Sequence, residues 1–306
     1  MLSCKNLTKQ CVEKIFKRAD HWQLVLQNKR LLPDNFKNKI LVNAFFEPST
    51  RTSLSFESAM YRIGGKVINF SVDGSSIAKG ETHEDTIKSL SNYGDIMVIR
   101  HPKKGFAKEM SEKLNIPIIN GGDGDGEHPT QALLDLYTIQ KRFNLEERTR
   151  ILFIGDIKHS RTIHSLIDLL MWYPRTKINV MPYKNKEPDE DFIYNICINH
   201  GQNIDDIIIR KEDCQFDSFD IIYSTRLQKE RSKGGEREDI KIDNKLMKDL
   251  KSNAIIMHPL PRNTEISPQV DTDKRAVYFE QMKNGVFVRM AILDALLMGE
   301  ELEFKN

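Results

Sequence analysis

A surplus of charge of either sign is missing from this chain. Its 306 residues carry 46 Lys and Arg against 44 Asp and Glu, a net charge of +2. That balance leaves no broad field to recruit nucleic acid, and Lys-rich patches such as Lys103-Lys104 read as solvated surface. Long apolar runs are missing too. None approaches the ~20 residues that a membrane span needs, and the best candidate, 166–173, is interrupted by Asp168. Cysteine is scarce: Cys4, Cys11, Cys197 and Cys214 form no Cys-x-x-Cys pair. Cys197 with His200 falls short of a structural zinc set. Inert thiols in a reducing compartment, no metal and no cofactor are expected. Met1-Leu2-Ser3-Cys4-Lys5 lacks a signal-peptide pattern, which points to the cytoplasm. Gly155-Asp156 follows a strand pattern, but the further glycines of a dinucleotide fingerprint are replaced by Ile157-Lys158-His159-Ser160-Arg161. No internal repeat or low-complexity tract is present.

What is present is an alternation of periods. Strand patterns at 40–46, 66–70, 96–100 and 117–120 are separated by helical patterns at 12–32, 52–63 and 82–93, with a polar loop at 71–80. A helix at 129–143 leaves this first unit. The rhythm resumes with strands at 150–156, 177–181, 207–210, 221–224 and 253–258 and helices at 162–173 and 189–200, before a last helix at 287–297. Such alternation implies an α/β fold, two doubly wound parallel-sheet domains joined by long helices. Ligands in such sheets sit beyond the carboxyl ends of the strands. Ser49, Thr50, Arg51 and Thr52, then Arg100, Arg226 and the His258-Pro259-Leu260-Pro261 run all follow strand-like segments. One active site in the cleft between the domains is therefore expected.

The densest chemistry lies at Phe45-Phe46-Glu47-Pro48-Ser49-Thr50-Arg51-Thr52. Pro48 stops a strand, and Ser49 or Thr50 is a natural N-cap for the helix that follows. A first helical turn offers free N–H groups and a positive dipole end. Hydroxyls and a fork-shaped guanidinium at that place suit a phosphate. A capped surface helix with a stray Arg would look much the same, so the rest of the chain must decide.

It does so by motif order. Ser-Thr-Arg-Thr after a strand, Arg100-His101-Pro102, Glu127-His128-Pro129-Thr130-Gln131, Ser224-Thr225-Arg226-Leu227-Gln228 and Met257-His258-Pro259-Leu260-Pro261-Arg262 occur in one sequence. In residues and spacing the chain resembles the aspartate and ornithine carbamoyltransferases over nearly its whole length. The resemblance implies a carbamoyl-phosphate-binding domain over 1–128 plus 286–306 and an aspartate-binding domain over 129–285. It implies transfer of a carbamoyl group from carbamoyl phosphate to L-aspartate, an early step of pyrimidine synthesis. Ser49, Thr50, Arg51, Thr52 and Arg100 would hold the phosphate. Arg51, Thr52 and His128 would serve the carbonyl oxygen, with Gln131 on the carbamoyl amide and Leu260 and Pro261 nearby. Arg161, Arg226 and Gln228 would hold the aspartate carboxylates. Ser75 and Lys79 match a loop that, in the family, reaches the neighbouring subunit's site. There both would contact carbamoyl phosphate, and Lys79 would also contact aspartate and join Arg51, Thr52 and His128 in catalysis. A homotrimer with shared active sites is therefore implied.

Lys158-His159-Ser160 departs from the aromatic-and-glycine pair more usual before the family's carboxylate-binding Arg. The other histidines (His21, His83, His101, His159, His164 and His200) read as surface or packing residues, and His258 as the orienter of its own turn. Use of ornithine is the alternative. It is disfavoured because a His-Cys-Leu-Pro element and a Ser-Met-Gly loop are absent, and because Arg226 would repel a cationic side chain. A non-catalytic homologue would be expected to have lost one of Arg51, Thr52, Lys79, Arg100, His128, Arg161 or Arg226, and all are present. No stretch resembles added synthetase or dihydroorotase modules, so a stand-alone catalytic chain is expected. Separate regulatory chains are possible partners that the motifs neither require nor exclude.

Overall fold

Leu41, Val42 and Ala44 have no exposed surface, and their burial marks β1 (Ile40–Phe45) as an inner strand. The computed structural model describes residues 1–28, 36–73, 75–227, 240–300 and 302. Two compact units emerge, one formed by Met1–Tyr137 with Lys283–Asn306 and the other by Thr138–Met282.

In the first unit α1 (Lys9–Gln27) opens on Thr8, whose hydroxyl accepts the Cys11 N–H. Then follow β1, α2 (Thr50–Arg62), β2 (Lys66–Ser71), α3 (His83–Ser91), β3 (Ile96–His101), α4 (Phe106–Ser111), β4 (Ile118–Asp123) and α5 (Pro129–Gln140). The four strands are parallel in the order β2-β1-β3-β4. Val42 stands beside Ile68 on one flank and Met97 on the other. Val42, Ala44, Met97 and Ile99 pack with Ile87, Phe106 and Met110 into one apolar cluster.

The second unit contains β5 (Arg150–Gly155), α6 (Arg161–Leu170), β6 (Lys177–Pro182), α7 (Glu190–His200), β7 (Ile221–Ser224), α8 (Asn244–Lys248) and β8 (Ile255–Met257). Its sheet is again wholly parallel, in the order β6-β5-β7-β8. Leu152, Ile154, Ile222 and Ile256 pack with Met247 and Tyr278. The strand order is therefore the same in both units, although the sequence shows no repeat. In each, the central pair (β1 and β3, or β5 and β7) is where the connections diverge to opposite sides, the switch point at which such sheets bind ligands.

Several expectations need correction. The strand at 207–210 reduces to one bridge, Ile208 to Val180, between 3₁₀ turns at Ile204–Asp206 and Lys211–Asp213. A β-branched run imitated a strand there, but Ile208 is 37% exposed and finds no full ladder. The last helix, α9 (Tyr278–Leu297), starts well before residue 287. Polar Gln281 and Asn284 are buried in its first half, which hid the apolar period. The helices α4 and α8 are too short for periodicity to show them. The two units divide within α5, after Tyr137, and within α9, before Lys283.

Gly155 ends β5 at φ +130, and an added Cβ would meet the Thr225 carbonyl oxygen at 2.4 Å. Gly155→Ala should cost at least about 2 kcal/mol in urea unfolding, because both conformation and space oppose it. An unchanged midpoint would contradict this packing.

Candidate active site

In the first unit the chain leaves β1 through Glu47 and Pro48 into α2. Ser49 holds the N-cap position with φ −156, but its side chain makes no capping bond. The Ser49 carbonyl accepts the Ser53 N–H at 3.1 Å, so the earlier N–H groups of the turn lie beyond the helical ladder. Thr50 and Arg51 are exposed and Thr52 is buried. Thr52 Oγ1 lies 3.5 Å from His128 Nε2, a long contact. His128 precedes α5 much as Ser49 precedes α2, its carbonyl accepting Gln131 and Ala132 N–H at 3.0 and 3.1 Å. Gln131 Nε2 donates to Asp135 Oδ1 at 2.9 Å.

Arg100 stands opposite Phe45 in the β1–β3 register, so its backbone lies beside the exit of β1. Its guanidinium pairs with Glu47 at 2.7 Å and donates to Gly121 O at 3.2 Å. Glu47 was missed as a charge partner, although its place inside the motif was a signal. Ser75 donates to Val72 O at 2.7 Å and accepts the Ile77 N–H of the 3₁₀ turn Ser76–Lys79 at 3.3 Å. Lys79 is exposed at the end of that turn.

Beside these residues lies a histidine pair. His101 Nδ1 accepts the Lys103 N–H at 2.9 Å, which leaves Nε2–H to donate to His83 Nδ1 at 2.8 Å. The His101 ring stacks on Phe106 with centroids 3.8 Å apart. Burial, then the neighbouring His83, pushes its pKa down to about 4. The pair joins the start of α3 to the end of β3.

The second unit repeats the pattern with different side chains. After β5, the fully buried Asp156 carboxylate accepts both the backbone N–H and the Nδ1–H of His159, at 3.2 and 2.9 Å. Ser160 is at the N-cap position of α6 without a capping bond, and its hydroxyl lies 3.1 Å from Thr162 Oγ1. Arg161 is the first residue of that helix. Arg226 follows β7, the neighbour of β5, and donates to Leu227 O at 3.2 Å. Gln228 lies outside the described residues. Leu260 and Pro261 follow β8.

His258 does orient its turn. Its Nδ1 accepts the Leu260 N–H at 2.8 Å, and its Nε2–H reaches the buried Glu265 at 2.8 Å. Burial lowers the His258 pKa against the pull of Glu265. Burial alone would raise Glu265, but bonds from His258 and from the Asn263 N–H outweigh it and leave the carboxyl below its usual range. A neutral imidazole thus donates to a carboxylate. The bonding fixes Leu260 at φ +55, a strained conformation for a bulky side chain. Sequence offered no signal for Glu265, whose partner lies across a proline turn.

Each edge combines a helix start with guanidinium forks, the chemistry of an anion site. The start of α2 is exposed at Thr50 and Arg51, and that of α6 is partly buried. The first adds Thr52 and His128, two polar groups converging where a carbonyl oxygen could gain charge. Among the described residues no cluster of three His, Cys, Asp or Glu could hold a metal. Among them also, no helix is long and apolar enough to cross a membrane.

Known proteins share this plan. Residues 1–141 match the family model for the aspartate/ornithine carbamoyltransferase carbamoyl-P binding domain, and residues 147–296 match that for the Asp/Orn binding domain. The chain is 42% identical over 305 residues to an aspartate carbamoyltransferase catalytic subunit of Archaeoglobus fulgidus, covering 97% of this chain and 99% of that one. It is 42% identical over 301 residues to the corresponding subunit of Clostridium novyi, covering 95% and 94%. A solved aspartate transcarbamoylase of Trypanosoma cruzi, in complex with carbamoyl aspartate and phosphate, superposes with a TM-score of 0.85 at 39% identity, covering 96% of this chain and 94% of that one.

The buried histidines predict an acid limit. His101 and His200 both fall, chiefly by burial, from 6.5 to about 4. The unfolded chain takes up these protons near pH 6.5, while the folded chain stays neutral until about pH 4. Their contribution is complete above the upper value and lost as pH falls toward the lower one. Urea midpoints should decline across that window, and His101→Phe should flatten the decline. An equally steep decline in that variant would contradict the assignment.

Proposed function

The chain belongs to the aspartate/ornithine carbamoyltransferase family, and from that premise we propose that it transfers the carbamoyl group of carbamoyl phosphate to L-aspartate. The products are N-carbamoyl-L-aspartate and phosphate, in an early step of de novo pyrimidine synthesis. The reading is carried by one observation: the same strand order occurs twice, each time with arginines at the exits of its central strands.

In this reading the first unit holds carbamoyl phosphate. The N–H groups and hydroxyls of Ser49, Thr50 and Thr52, with the guanidinium of Arg51, cradle the dianion. Arg100 adds a second fork, already aimed by Glu47. The unprotonated aspartate amine attacks the carbonyl carbon, and the carbonyl oxygen becomes an oxyanion. As the oxyanion collapses, phosphate departs with the electrons of its C–O bond and takes up the proton that the nitrogen loses. Thr52, His128 and Arg51 donate to that oxyanion more strongly than to the starting carbonyl, which lowers the barrier without a covalent enzyme intermediate. Gln131 faces the carbamoyl amide. Leu260 and Pro261 offer backbone groups held by His258.

The second unit holds aspartate. Arg161 and Arg226 supply the two forks that its carboxylates require, with Gln228 as a third contact. Ornithine, whose side chain is cationic, would meet Arg226 unfavourably. Activity should appear with carbamoyl phosphate and L-aspartate; equal or greater turnover with L-ornithine would overturn the substrate assignment. Arg226→Ala should raise the KM for aspartate by roughly 10- to 100-fold, the loss of a charge-assisted bond pair. Carbamoyl phosphate binding should change little.

The active form proposed is a cytoplasmic homotrimer with shared sites. Two observations support it: Lys79 is exposed on a turn, and Leu54 and Tyr61 on α2 are 57% and 52% exposed. Those two apolar residues are spaced for one helical stripe and invite cover by another chain. Ser75 and Lys79 of one chain would then complete the site that holds Arg51 of the next. Arg51→Ala and Lys79→Ala enzymes should each be nearly inactive, and mixing them with subunit exchange should restore part of the activity. Hybrids confirmed by mass that stay as inactive as their parents would refute sharing.

A further inference from the structure

Gln131 and Asp135 form an i, i+4 pair on α5, a common arrangement on helix surfaces and worth little there. Here Asp135 has no exposed surface, and the cation coupled to it is almost as deeply buried. Arg289 of α9 is 3% exposed. It donates through one terminal nitrogen to Ser55 Oγ at 2.9 Å and through the other to Thr130 Oγ1 at 3.3 Å. Its guanidinium carbon lies 5.1 Å from the Phe56 ring centroid. Burial pulls Arg289 down to about 10, with the charge of Asp135 opposing that fall. It therefore remains a cation at neutral pH. Gly285, one turn earlier on α9, leaves the room: an added Cβ there would stand 2.7 Å from a terminal nitrogen of Arg289.

Two consequences follow from these charges. The guanidinium binds the residue one turn into α2 and the second residue of α5, so it fixes together the helix starts that carry Thr52 and His128. Gln131 donates its Nε2–H to Asp135 Oδ1, and a carboxylate oxygen set against a cation accepts rather than donates. Gln131 must then present its NH2 to Asp135, leaving its Oε1 as the end available to a ligand. An amide otherwise turns over freely and offers either end.

We propose that Asp135, with Arg289 as its countercharge, is a positioning residue that fixes the amide of Gln131 with its oxygen toward the substrate. This makes the site selective for a carbamoyl phosphate over an acyl phosphate. The inference rests on the carbamoyl phosphate reading above. A carbamoyl NH2 donates to Oε1, whereas the methyl of acetyl phosphate, similar in size, has nothing to donate and leaves Oε1 unsatisfied.

The test compares dissociation constants of carbamoyl phosphate, acetyl phosphate and inorganic phosphate in the wild-type enzyme and in Asp135→Asn. The wild type should prefer carbamoyl over acetyl phosphate. In Asp135→Asn carbamoyl phosphate should weaken by about tenfold, the size of one hydrogen bond made or missed, while the other two ligands stay within about twofold. If the single variant does not fold, the paired change Asp135→Leu with Arg289→Met removes both charges together, and the same loss of preference is expected. If neither folds, the Gln131 side-chain amide of the wild type is followed by NMR with selectively labelled glutamine. Its protons should keep their bond to Asp135 when carbamoyl phosphate binds, and loss of that bond would overturn the proposal. So would an unchanged carbamoyl-to-acetyl ratio with all three ligands weakened alike, the mark of a purely structural pair. Failure of the wild type to bind carbamoyl phosphate would instead overturn the activity on which the proposal rests.

Discussion

Parallel strands all leave their sheet at the same edge, and that constraint governs this protein. In each unit the strands end in one row, and the connections from the two central strands part to opposite sides. The backbone there turns without pairing to another strand, so its polar groups and side chains are available. Thr50, Arg51, Thr52 and Arg100 gather at one such edge, and Arg161 and Arg226 at the other. The inner strands β1, β3, β5 and β7 are buried almost throughout, so their ends are where most polar side chains find room.

Much of this was legible because strand ends and helix starts are local events. An apolar run, a proline and a group of hydroxyls place Ser49 to within one residue, and an apolar run followed by Gly155 places the start of the second sheet. Less legible were contacts made across the chain. Glu47 sits inside the first motif, yet its partner Arg100 lies on another strand. Arg289 is one more basic residue until α9 is laid against α2 and α5. The false strand at 207–210 failed for the opposite reason. Local propensity was right, but a strand exists only where a neighbour has room for a whole ladder. The helices α4 and α8 were missed because five or six residues do not display a period.

The buried polar groups share a chemical logic. Several are held in one bonding arrangement by a partner that can play only one part. A carboxylate accepts from His258, another accepts from Gln131, and a backbone N–H forces His101 to donate through its far nitrogen. Groups so constrained cannot rotate to other partners, and they stand immediately behind the residues that face solvent. Their cost in desolvation is offset by loss of choice.

The chain's path between its units has a consequence for how it is made. The second unit is a continuous stretch, Thr138–Met282, inserted into the first, whose last part begins at Lys283, near the start of α9. Trp22 of α1 donates to Asp294 across 272 positions, at 2.8 Å. On the ribosome the second unit can fold as soon as it emerges, while the first must wait for its closing helix. Until then the face of α1 bearing Trp22 has no lid, and closure of so long a loop comes late. Chaperone dependence during synthesis should therefore concentrate on the unit that is translated first.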